Sequence, residues 1–203
     1  MGRGLFLVFE GGDGSGKSTQ AARVARERDC LFTFEPGDTP LGVHLRTWLL
    51  DAKTPMTFET EALLMLADRS HHVVNVIEPT LASGRSVVSD RFFASTIAYQ
   101  GYGRGVDRDD LMAATRLAIG NCRADLTILI DVAPDVANER RRRDHEDRFE
   151  SADLEFHERV RQGYLDLAAA DRDGWVVIDG SPDEAEVSRA IDEVVSSLPW
   201  PRD

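Results

Sequence analysis

The chain has 203 residues, of which 42% are hydrophobic, and this composition predicts a single domain over residues 1–203. Its formal net charge of −12 argues against general nucleic-acid binding, because an acidic surface repels a polyanion. No signal peptide opens the sequence and no apolar run approaches the roughly 18 residues of a membrane span, so we expect a cytoplasmic protein. Cys30 and Cys122 stand outside any metal-ligand spacing, and we expect buried free thiols.

The first predicted element is a buried strand at residues 5–9, followed by the pattern G-x-x-x-x-G-K-[ST] and a helix to Arg28. Its glycines allow backbone N–H groups to surround a phosphate at a helix N-terminus. Lys17 can neutralise the outer phosphates, and the Ser18 hydroxyl can bind Mg²⁺. The predicted nucleotide-binding residues are Gly11, Gly12, Asp13, Gly14, Ser15, Gly16, Lys17, Ser18 and Thr19.

Further apolar runs and helical spacings alternate along the chain. This alternation predicts an α/β fold, a parallel five-stranded sheet with helices on both faces. Pro79 can kink the end of the longest helix. The other predicted strands are residues 31–34, 86–89, 126–130 and 175–178; the helices are 41–49, 58–82, 95–100, 108–119, 134–143, 154–170 and 182–197, with a glycine-broken loop at 101–105.

Charged residues follow the second and third predicted strands. In parallel sheets, ligands bind where the strands end, so Glu35 and the pair Asp90-Arg91 are expected beside the glycine-rich turn. Asp90 can hold Mg²⁺ directly or through water, and the guanidinium of Arg91 can bridge two phosphate groups. These residues predict the second half of a phosphoryl-transfer site.

Four arginines, at positions 140–143, end the helix that begins at Pro134. They can complement the helix dipole, or they can form a lid that brings charge to a transferring phosphoryl group. Successive helical residues are about 100° apart, so we expect one or two of the four to point inward. His71 and His72 have no third ligand nearby in sequence, so they are interpreted as non-catalytic, and zinc is not expected.

Together these residues resemble the thymidylate kinase family, P-loop kinases that transfer a phosphoryl group from ATP to dTMP. The resemblance covers nearly the whole chain, and its most specific block is Asp90-Arg91-Phe92 followed by Ser95-Thr96-x-Ala98-Tyr99-Gln100-Gly101. Further matching motifs are Phe9-Glu10-Gly11-x-Asp13-Gly14-x-Gly16-Lys17-Ser18-Thr19-Gln20, Glu35-Pro36-Gly37-x-Thr39, Ala67-Asp68-Arg69, Ile77-x-Pro79-x-Leu81 and Asp147-Arg148-Phe149-Glu150.

The resemblance implies roles at matching positions. Asp13 approaches the 3′-hydroxyl of dTMP, Arg69 donates to thymine, and Arg91 contacts both phosphate groups. Tyr99 crowds a 2′-hydroxyl. The implied substrate-binding residues are Asp13, Glu35, Pro36, Met65, Arg69, Arg91, Thr96, Tyr99 and Gln100; the implied catalytic residues are Lys17, Asp90, Arg91, Arg141, Arg143 and Arg148; the metal ligands are Ser18 and Asp90.

The resemblance also implies a P-loop kinase fold with a short arginine-rich lid at about residues 141–153, Mg²⁺ as cofactor, ATP as donor and a homodimer. Ser15 stands where one branch of the family has a P-loop arginine, which favours the branch with lid arginines. Two positions depart from the family pattern. Phe34 replaces an arginine before Glu-Pro-Gly, and Met65 replaces the aromatic residue on which thymine stacks, although a thioether can also pack against a ring.

The leading hypothesis is therefore an ATP:dTMP phosphotransferase. One alternative is a kinase for another nucleoside monophosphate or a nucleoside, which a panel of acceptors would distinguish. The other alternative is a regulatory ATP-binding switch, which needs no acceptor pocket, so saturable dTMP binding would exclude it.

Overall fold

A computed structural model describes residues 2–140, 148–149 and 152–201. The described chain contains five strands that form one parallel sheet in the order β2-β3-β1-β4-β5, which confirms the predicted fold class. The observed strands begin and end within one residue of the predicted positions. Their bounds are β1 Phe6–Glu10, β2 Leu31–Phe34, β3 Val87–Asp90, β4 Leu126–Asp131 and β5 Trp175–Asp179.

Helices cover both faces of the sheet, and β1 shows why its sequence is continuously apolar. Alternate side chains of a strand point to opposite faces. Phe6 and Val8 therefore enter one core, with Leu66 and Ile77, while Leu7 and Phe9 enter the other. All five residues of β1 are buried. A strand covered on both faces must be apolar at nearly every position, and the predicted pattern has this cause.

The helices agree closely with the sequence predictions, and two of them, α6 and α8, have the predicted bounds. Side chains cap several N-termini; the Thr39 hydroxyl, for example, accepts a 2.9 Å hydrogen bond from Gly42 N–H. The helices are α1 Lys17–Glu27, α2 Pro40–Leu50, α3 Phe58–His72, α4 Glu78–Ala82, α5 Phe93–Thr96, α6 Arg108–Ile119, α7 Pro134–Arg140, α8 Leu154–Ala170 and α9 Glu184–Ser196.

Two π-helical segments were not expected. Val73–Ile77 joins α3 to α4, so the predicted helix over 58–82 is continuous but widened just before Pro79, which lacks the N–H of a regular turn. Ile97–Gly103 continues α5, so the predicted loop at 101–105 is wrong over its first three residues. The reason is tertiary, because Gly103 packs so closely on α8 that a Cβ there would lie 2.5 Å from the Phe156 ring.

The strand order places the functional motifs together. β1 lies between β3 and β4, so the chain leaves β1 in one direction and later passes to its other side. Ligands of open α/β sheets bind at such a switch point, beyond the C-terminal ends of the strands. The glycine-rich turn leaves β1 here, and Arg91 follows the neighbouring β3.

Both cysteines are buried free thiols, as expected. Burial raises the pKa of Cys30 to about 11 and that of Cys122 to about 12. Across the described ranges, we find no helix that combines the length and apolarity needed to cross a membrane.

Candidate active site

The glycine-rich turn has the geometry of a P-loop. Gly11 has φ 147° and Gly16, the N-cap of α1, has φ 87°, values that favour glycine. A Cβ at Gly11 would lie only 2.6 Å from the Ile130 carbonyl oxygen, so any other residue would also collide. The turn therefore delivers the chain directly into α1, and its N–H groups and the helix N-terminus form an anion-binding site.

Lys17 begins α1 and its side chain is almost completely buried at the turn. Its Nζ donates to the Gly12 carbonyl oxygen at 3.4 Å and lies 3.6 Å from Asp13 Oδ1. Burial and the nearby Arg91 guanidinium lower the pKa of Lys17, against the opposing carboxylates. A phosphate at the turn would add negative charge beside this ammonium group and favour its charged form.

Asp13 connects the P-loop to a second cation. Its Oδ1 accepts a 2.5 Å hydrogen bond from Arg91 Nη2, and its Oδ2 accepts one of 2.7 Å from the Tyr99 hydroxyl. Burial disfavours the Asp13 carboxylate, but Arg91, Lys17 and the Tyr99 hydroxyl together hold its pKa below the usual range. Three of the predicted site residues, Asp13, Arg91 and Tyr99, therefore form one charged cluster.

Arg91 has an unusual backbone conformation, with φ 75°, immediately after β3. Such strain in a residue other than glycine persists only where the surroundings hold it. Here Arg91 N–H donates to the Phe9 carbonyl oxygen at 2.9 Å, and Arg91 Nη1 donates to Ser95 Oγ and to the Tyr164 hydroxyl at 3.0 and 3.1 Å.

Three residues that support Arg91 were not singled out as functional from the sequence. Glu10, Ser95 and Tyr164 are buried and interconnected. Glu10 Oε2 accepts from Ser95 Oγ at 2.7 Å and from the Tyr164 hydroxyl at 3.0 Å, and burial raises the pKa of Glu10. The sequence feature that could have identified this group is Glu10 itself, a charged residue at the end of the otherwise apolar β1.

One cleft, of about 570 Å³, adjoins the Asp13 cluster, and we call it the acceptor-side cleft. Every residue of the implied substrate set lines it, so the structure brings that set together. The lining residues are Asp13, Glu35, Pro36, Arg46, Leu50, Met65, Arg69, Arg91, Ser95, Thr96, Tyr99, Gln100 and Phe149.

Arg69 lines this cleft with its side chain 2% exposed. Its Nε donates to Glu35 Oε2 at 2.7 Å and its Nη1 to Thr96 Oγ1 at 2.7 Å, while Nη2 donates to a backbone carbonyl oxygen at 3.0 Å. A guanidinium has five N–H bonds, so one remains on each terminal nitrogen for a ligand. Burial opposes ionisation of Glu35, but Arg69 and His72 lower its pKa.

Arg46, which the sequence reasoning did not single out, also lines the cleft. Its guanidinium lies over the Phe34 ring, 5.6 Å from the centroid, and donates to the Pro36 carbonyl oxygen at 2.6 Å. It therefore brings a cation from α2 to the segment where Phe34 replaces the family arginine. Arg46 is the single arginine of α2, which is the signal that could have found it.

A second cleft, of about 970 Å³, lies between the P-loop and the segment that follows β5, and we call it the donor-side cleft. Arg140 reaches across its edge and donates to the carbonyl oxygens of Gly180 and Ser181, each at 2.7 Å. The cleft is lined by Gly14, Ser15, Gly16, Thr19, Gln20, Arg140, Gly180, Pro182, Asp183, Glu184 and Val187.

Two buried oxygens beside the P-loop have no hydrogen-bond partner in the described part of the chain: Ser15 Oγ and Asp90 Oδ1. Buried polar atoms are normally paired, so orphaned oxygens beside a phosphate-binding turn indicate a place for a ligand or a cation. Oxygen ligands of this type suit Mg²⁺, which the chain's Ser18 hydroxyl and Asp90 carboxylate could hold.

The arginine-rich segment is described only in part. Arg141 and Arg143 lie outside the described residues. Arg148 donates to the carbonyl oxygens of Asp51 and Thr54 in the loop after α2, at the border of the acceptor-side cleft. Phe149 lines that cleft and meets the Tyr99 ring edge-on, with the ring centroids 5.6 Å apart.

The P-loop thus adjoins two clefts, one lined by its glycines and the other by its Asp13. Lys17 and Arg91 lie at this junction, and both cations pair with the Asp13 carboxylate. Two phosphate-bearing ligands placed in these clefts would bring their phosphates to the same pair of cations. Such an arrangement can stabilise the charge of a phosphoryl group in transfer.

Comparison with known proteins agrees with this geometry. The thymidylate kinase family model matches residues 9–191. A thymidylate kinase of Burkholderia vietnamiensis is 45% identical over 208 aligned positions, which cover 98% of this chain and all of that protein. One of Desulforudis audaxviator is 43% identical and covers 93% of this chain and 88% of that protein.

Solved structures lead to the same family. The crystal structure of thymidylate kinase from Ehrlichia chaffeensis superposes with a TM-score of 0.79 at 32% identity, covering 96% of this chain and 99% of that one. The match therefore includes the fold and nearly the full length of both chains, and it confirms the resemblance drawn from the motifs. The chain belongs to the thymidylate kinase family.

Proposed function

We infer that this protein transfers the γ-phosphoryl group of ATP to dTMP, giving dTDP and ADP, in the synthesis of dTTP. Family membership supports this activity. The observation that carries it is the Asp13–Arg91 pair, which joins the P-loop to the acceptor-side cleft by a 2.5 Å hydrogen bond. A nucleotide-binding switch would need no such cleft.

Lys17 and Arg91 have the leading electrostatic roles in this proposal. The phosphoryl group carries its negative charge through a loose transition state, so catalysis depends on fixed cations and alignment. Lys17 neutralises the outer phosphates of ATP. Arg91 contacts the phosphates of both nucleotides, and Asp13, which Arg91 and Tyr99 hold in place, accepts a hydrogen bond from the 3′-hydroxyl of dTMP.

The acceptor base is proposed to lie against Arg69 and Met65. Arg69 has an N–H left on each terminal nitrogen, and O4 of thymine can accept from it. Met65 packs against the ring through its thioether, and Thr96, Tyr99 and Gln100 form the remaining wall. Gln100 Nε2 donates to Glu61 at 3.0 Å, which leaves its carbonyl oxygen for a ligand.

Mg²⁺ is the proposed cofactor, held by Ser18 and Asp90. The ion neutralises negative charge on the phosphates when it is bound. The orphaned Asp90 Oδ1 supports this assignment. Removal of divalent cations by EDTA should abolish turnover, and added Mg²⁺ should restore it.

Arg141, Arg143 and Arg148 are proposed as lid arginines within about residues 141–153 of a single P-loop kinase domain. Ser15 in the P-loop supports this role, since it leaves the loop without its own arginine. Alanine at each position should lower kcat more than it raises the KM for dTMP, because the interaction forms in the transition state. Three single variants with full kcat would show that the run is a solvated face.

A homodimer in the cytoplasm completes the proposal. Leu63 on α3 and Leu117 on α6 are 62% and 87% exposed, and such apolar side chains on the outer helices suit a subunit interface. Light scattering coupled to size-exclusion chromatography measures the assembly state. Leu117→Glu should shift a dimer towards the monomer.

The activity is tested with a coupled ADP-release assay. Purified protein is supplied with ATP, Mg²⁺ and one acceptor from dTMP, dUMP, dCMP and UMP. The proposal expects dTMP to have the highest kcat/KM. A higher kcat/KM for another acceptor would identify a different nucleoside monophosphate kinase, and ADP release that no acceptor stimulates would indicate a switch.

A further inference from the structure

A continuous line of buried hydrogen bonds runs from β2 to α5 behind the acceptor-side cleft. Glu35, Arg69 and Thr96 line the cleft, whereas Thr33 and His72 are fully buried residues that reach it through Glu35. The successive contacts are Asp38–Thr33 at 2.5 Å, Thr33–His72 at 2.5 Å, His72–Glu35 at 2.8 Å, Glu35–Arg69 at 2.7 Å and Arg69–Thr96 at 2.7 Å.

The directions of these bonds follow from the donors available. The Thr33 hydroxyl has one proton, which it donates to Asp38, so its oxygen accepts from His72 Nε2. The Glu35 carboxylate only accepts, so His72 Nδ1 donates to it. The imidazole of His72 is therefore held by a partner at each ring nitrogen, Glu35 at Nδ1 and Thr33 at Nε2.

His72 and Arg69 divide the carboxylate of Glu35 between them. Arg69 Nε donates to Oε2, and His72 Nδ1 donates to Oε1. If His72 were absent, Oε1 would be a buried acceptor without this partner, and the carboxylate could rotate to share its other donors. Since Glu35 receives the Arg69 Nε–H, a rotation of the carboxylate would weaken one of the three hydrogen bonds that hold the guanidinium in the cleft.

We infer that His72 is a positioning residue for the acceptor-side cleft, because it holds Glu35 and through Glu35 fixes the Arg69 guanidinium. The inference rests on the proposed function for its consequence in catalysis. It also changes the interpretation of His72 as merely non-catalytic. The residue does not touch the ligand, yet it orients the group that does.

Two amide substitutions separate the two ring contacts. Asparagine places its amide nitrogen two bonds from Cβ, as histidine places Nδ1, so His72→Asn keeps the donor to Glu35 and loses the contact with Thr33. Glutamine places its amide nitrogen one atom further, like Nε2, so His72→Gln keeps the contact with Thr33 and loses the donor to Glu35. His71→Asn, at the neighbouring position and with its side chain paired to Asn75, is the matched control.

We expect His72→Gln to raise the KM for dTMP by about ten-fold, the scale of one hydrogen bond to a charged group. Its kcat and its KM for ATP should stay within about two-fold of the wild type, since the P-loop cluster is untouched. His72→Asn should stay within about three-fold for all constants, and His71→Asn should match the wild type. A wild-type KM for dTMP in a folded His72→Gln variant would overturn the inference.

A second readout needs no substrate. The Arg69 Nε–H, which Glu35 holds, should give a protected ¹⁵N–¹H resonance in the wild type and in His72→Asn, and a shifted, faster-exchanging one in His72→Gln. An unchanged resonance in His72→Gln would overturn the inference whether or not dTMP is the substrate. A wild-type enzyme that does not phosphorylate dTMP would refute only the proposed function. If His72→Gln does not fold, His72→Leu, which fills the site without a donor to Glu35 Oε1, should shift the same resonance, and an unchanged resonance in that variant would overturn the inference.

Discussion

Arg69 offers the sharpest test of the proposed acceptor site, because it has both a structural and a recognition role. Its three nitrogens donate to Glu35, Thr96 and a backbone carbonyl oxygen at 2.7, 2.7 and 3.0 Å. Arg69→Ala would leave the Glu35 carboxylate, 2% exposed, without its guanidinium partner. Breaking a buried ion pair in this way costs about 3–5 kcal/mol of unfolding free energy.

The structural part is measured by urea unfolding of a double-mutant cycle. Glu35→Gln removes the buried charge, so Arg69→Ala should cost less in that background than in the wild type, by about 1–3 kcal/mol. Strictly additive losses would contradict the buried pair. The double variant also provides a folded protein if Arg69→Ala alone is too unstable for kinetics.

The recognition part is measured as the ratio of kcat/KM between dTMP and dCMP. Thymine O4 accepts a hydrogen bond from a guanidinium, whereas the amino group of cytosine at that position is a donor. Two donors that face each other in a dry pocket both lack an acceptor, and each unsatisfied group costs about 1–3 kcal/mol of binding free energy. Arg69→Ala should therefore narrow the ratio about ten-fold or more. Arg91→Ala should lower both values alike, because the substrates share their phosphate. An unchanged ratio in the Arg69 variant would mean that Thr96 and Gln100 identify the base.

Three further predictions concern the P-loop cluster and one buried acid. Lys17→Ala should lower kcat by at least about 100-fold through lost charge stabilisation, and near-normal turnover would refute the P-loop assignment. Tyr99→Phe should lower kcat/KM for dTMP by about ten-fold, because its hydroxyl donates to the P-loop carboxylate at 2.7 Å, while Tyr102→Phe, whose hydroxyl faces solvent-exposed Asp166, should have no effect. Burial, and after it the neighbouring Glu35 carboxylate, raises the pKa of Asp68 from 3.8 to about 6. The folded state therefore favours the protonated acid, and the free energy of unfolding falls as the pH rises from 4 to 6. Above pH 6 the full loss is about 3 kcal/mol. Asp68→Asn should therefore stabilise the protein progressively over that window, measured by urea unfolding at pH 4.5, 6 and 8 against Asp173→Asn on an exposed turn; a pH-independent gain would contradict the burial argument.

Asp68 lies on α3, one residue before Arg69 of the acceptor-side cleft. Its carboxylate is 1% exposed and neither oxygen has a hydrogen-bond partner in the described chain; the Gly37 N–H approaches it without meeting hydrogen-bond geometry. It lies close to Gly42, where an added Cβ would be 2.3 Å from Asp68 Oδ1. The close packing of α2 on α3 that brings Arg46 to the acceptor-side cleft thus also confines this acid.

The sequence by itself determined the layered fold and the location of the site. Strands buried on both faces must be apolar throughout, and the helices that cover them need an apolar residue every three to four positions. Burial therefore produces both patterns directly in the sequence. The P-loop was equally visible, because its glycines are required by local backbone geometry at Gly11 and Gly16. Both signals are local, and a local signal survives in a single sequence.

Only the tertiary structure decided which polar groups meet. Three separate segments supply these groups: Thr33 and Glu35 at the end of β2, Arg69 and His72 on α3, and Thr96 on α5. No spacing along the chain relates one segment to another. The placement of Arg46 over Phe34, and the helical course of residues 101–103 against α8, have the same origin. A hydrogen bond depends on distances of a few tenths of an ångström between distant segments, whereas burial depends only on which face a residue occupies.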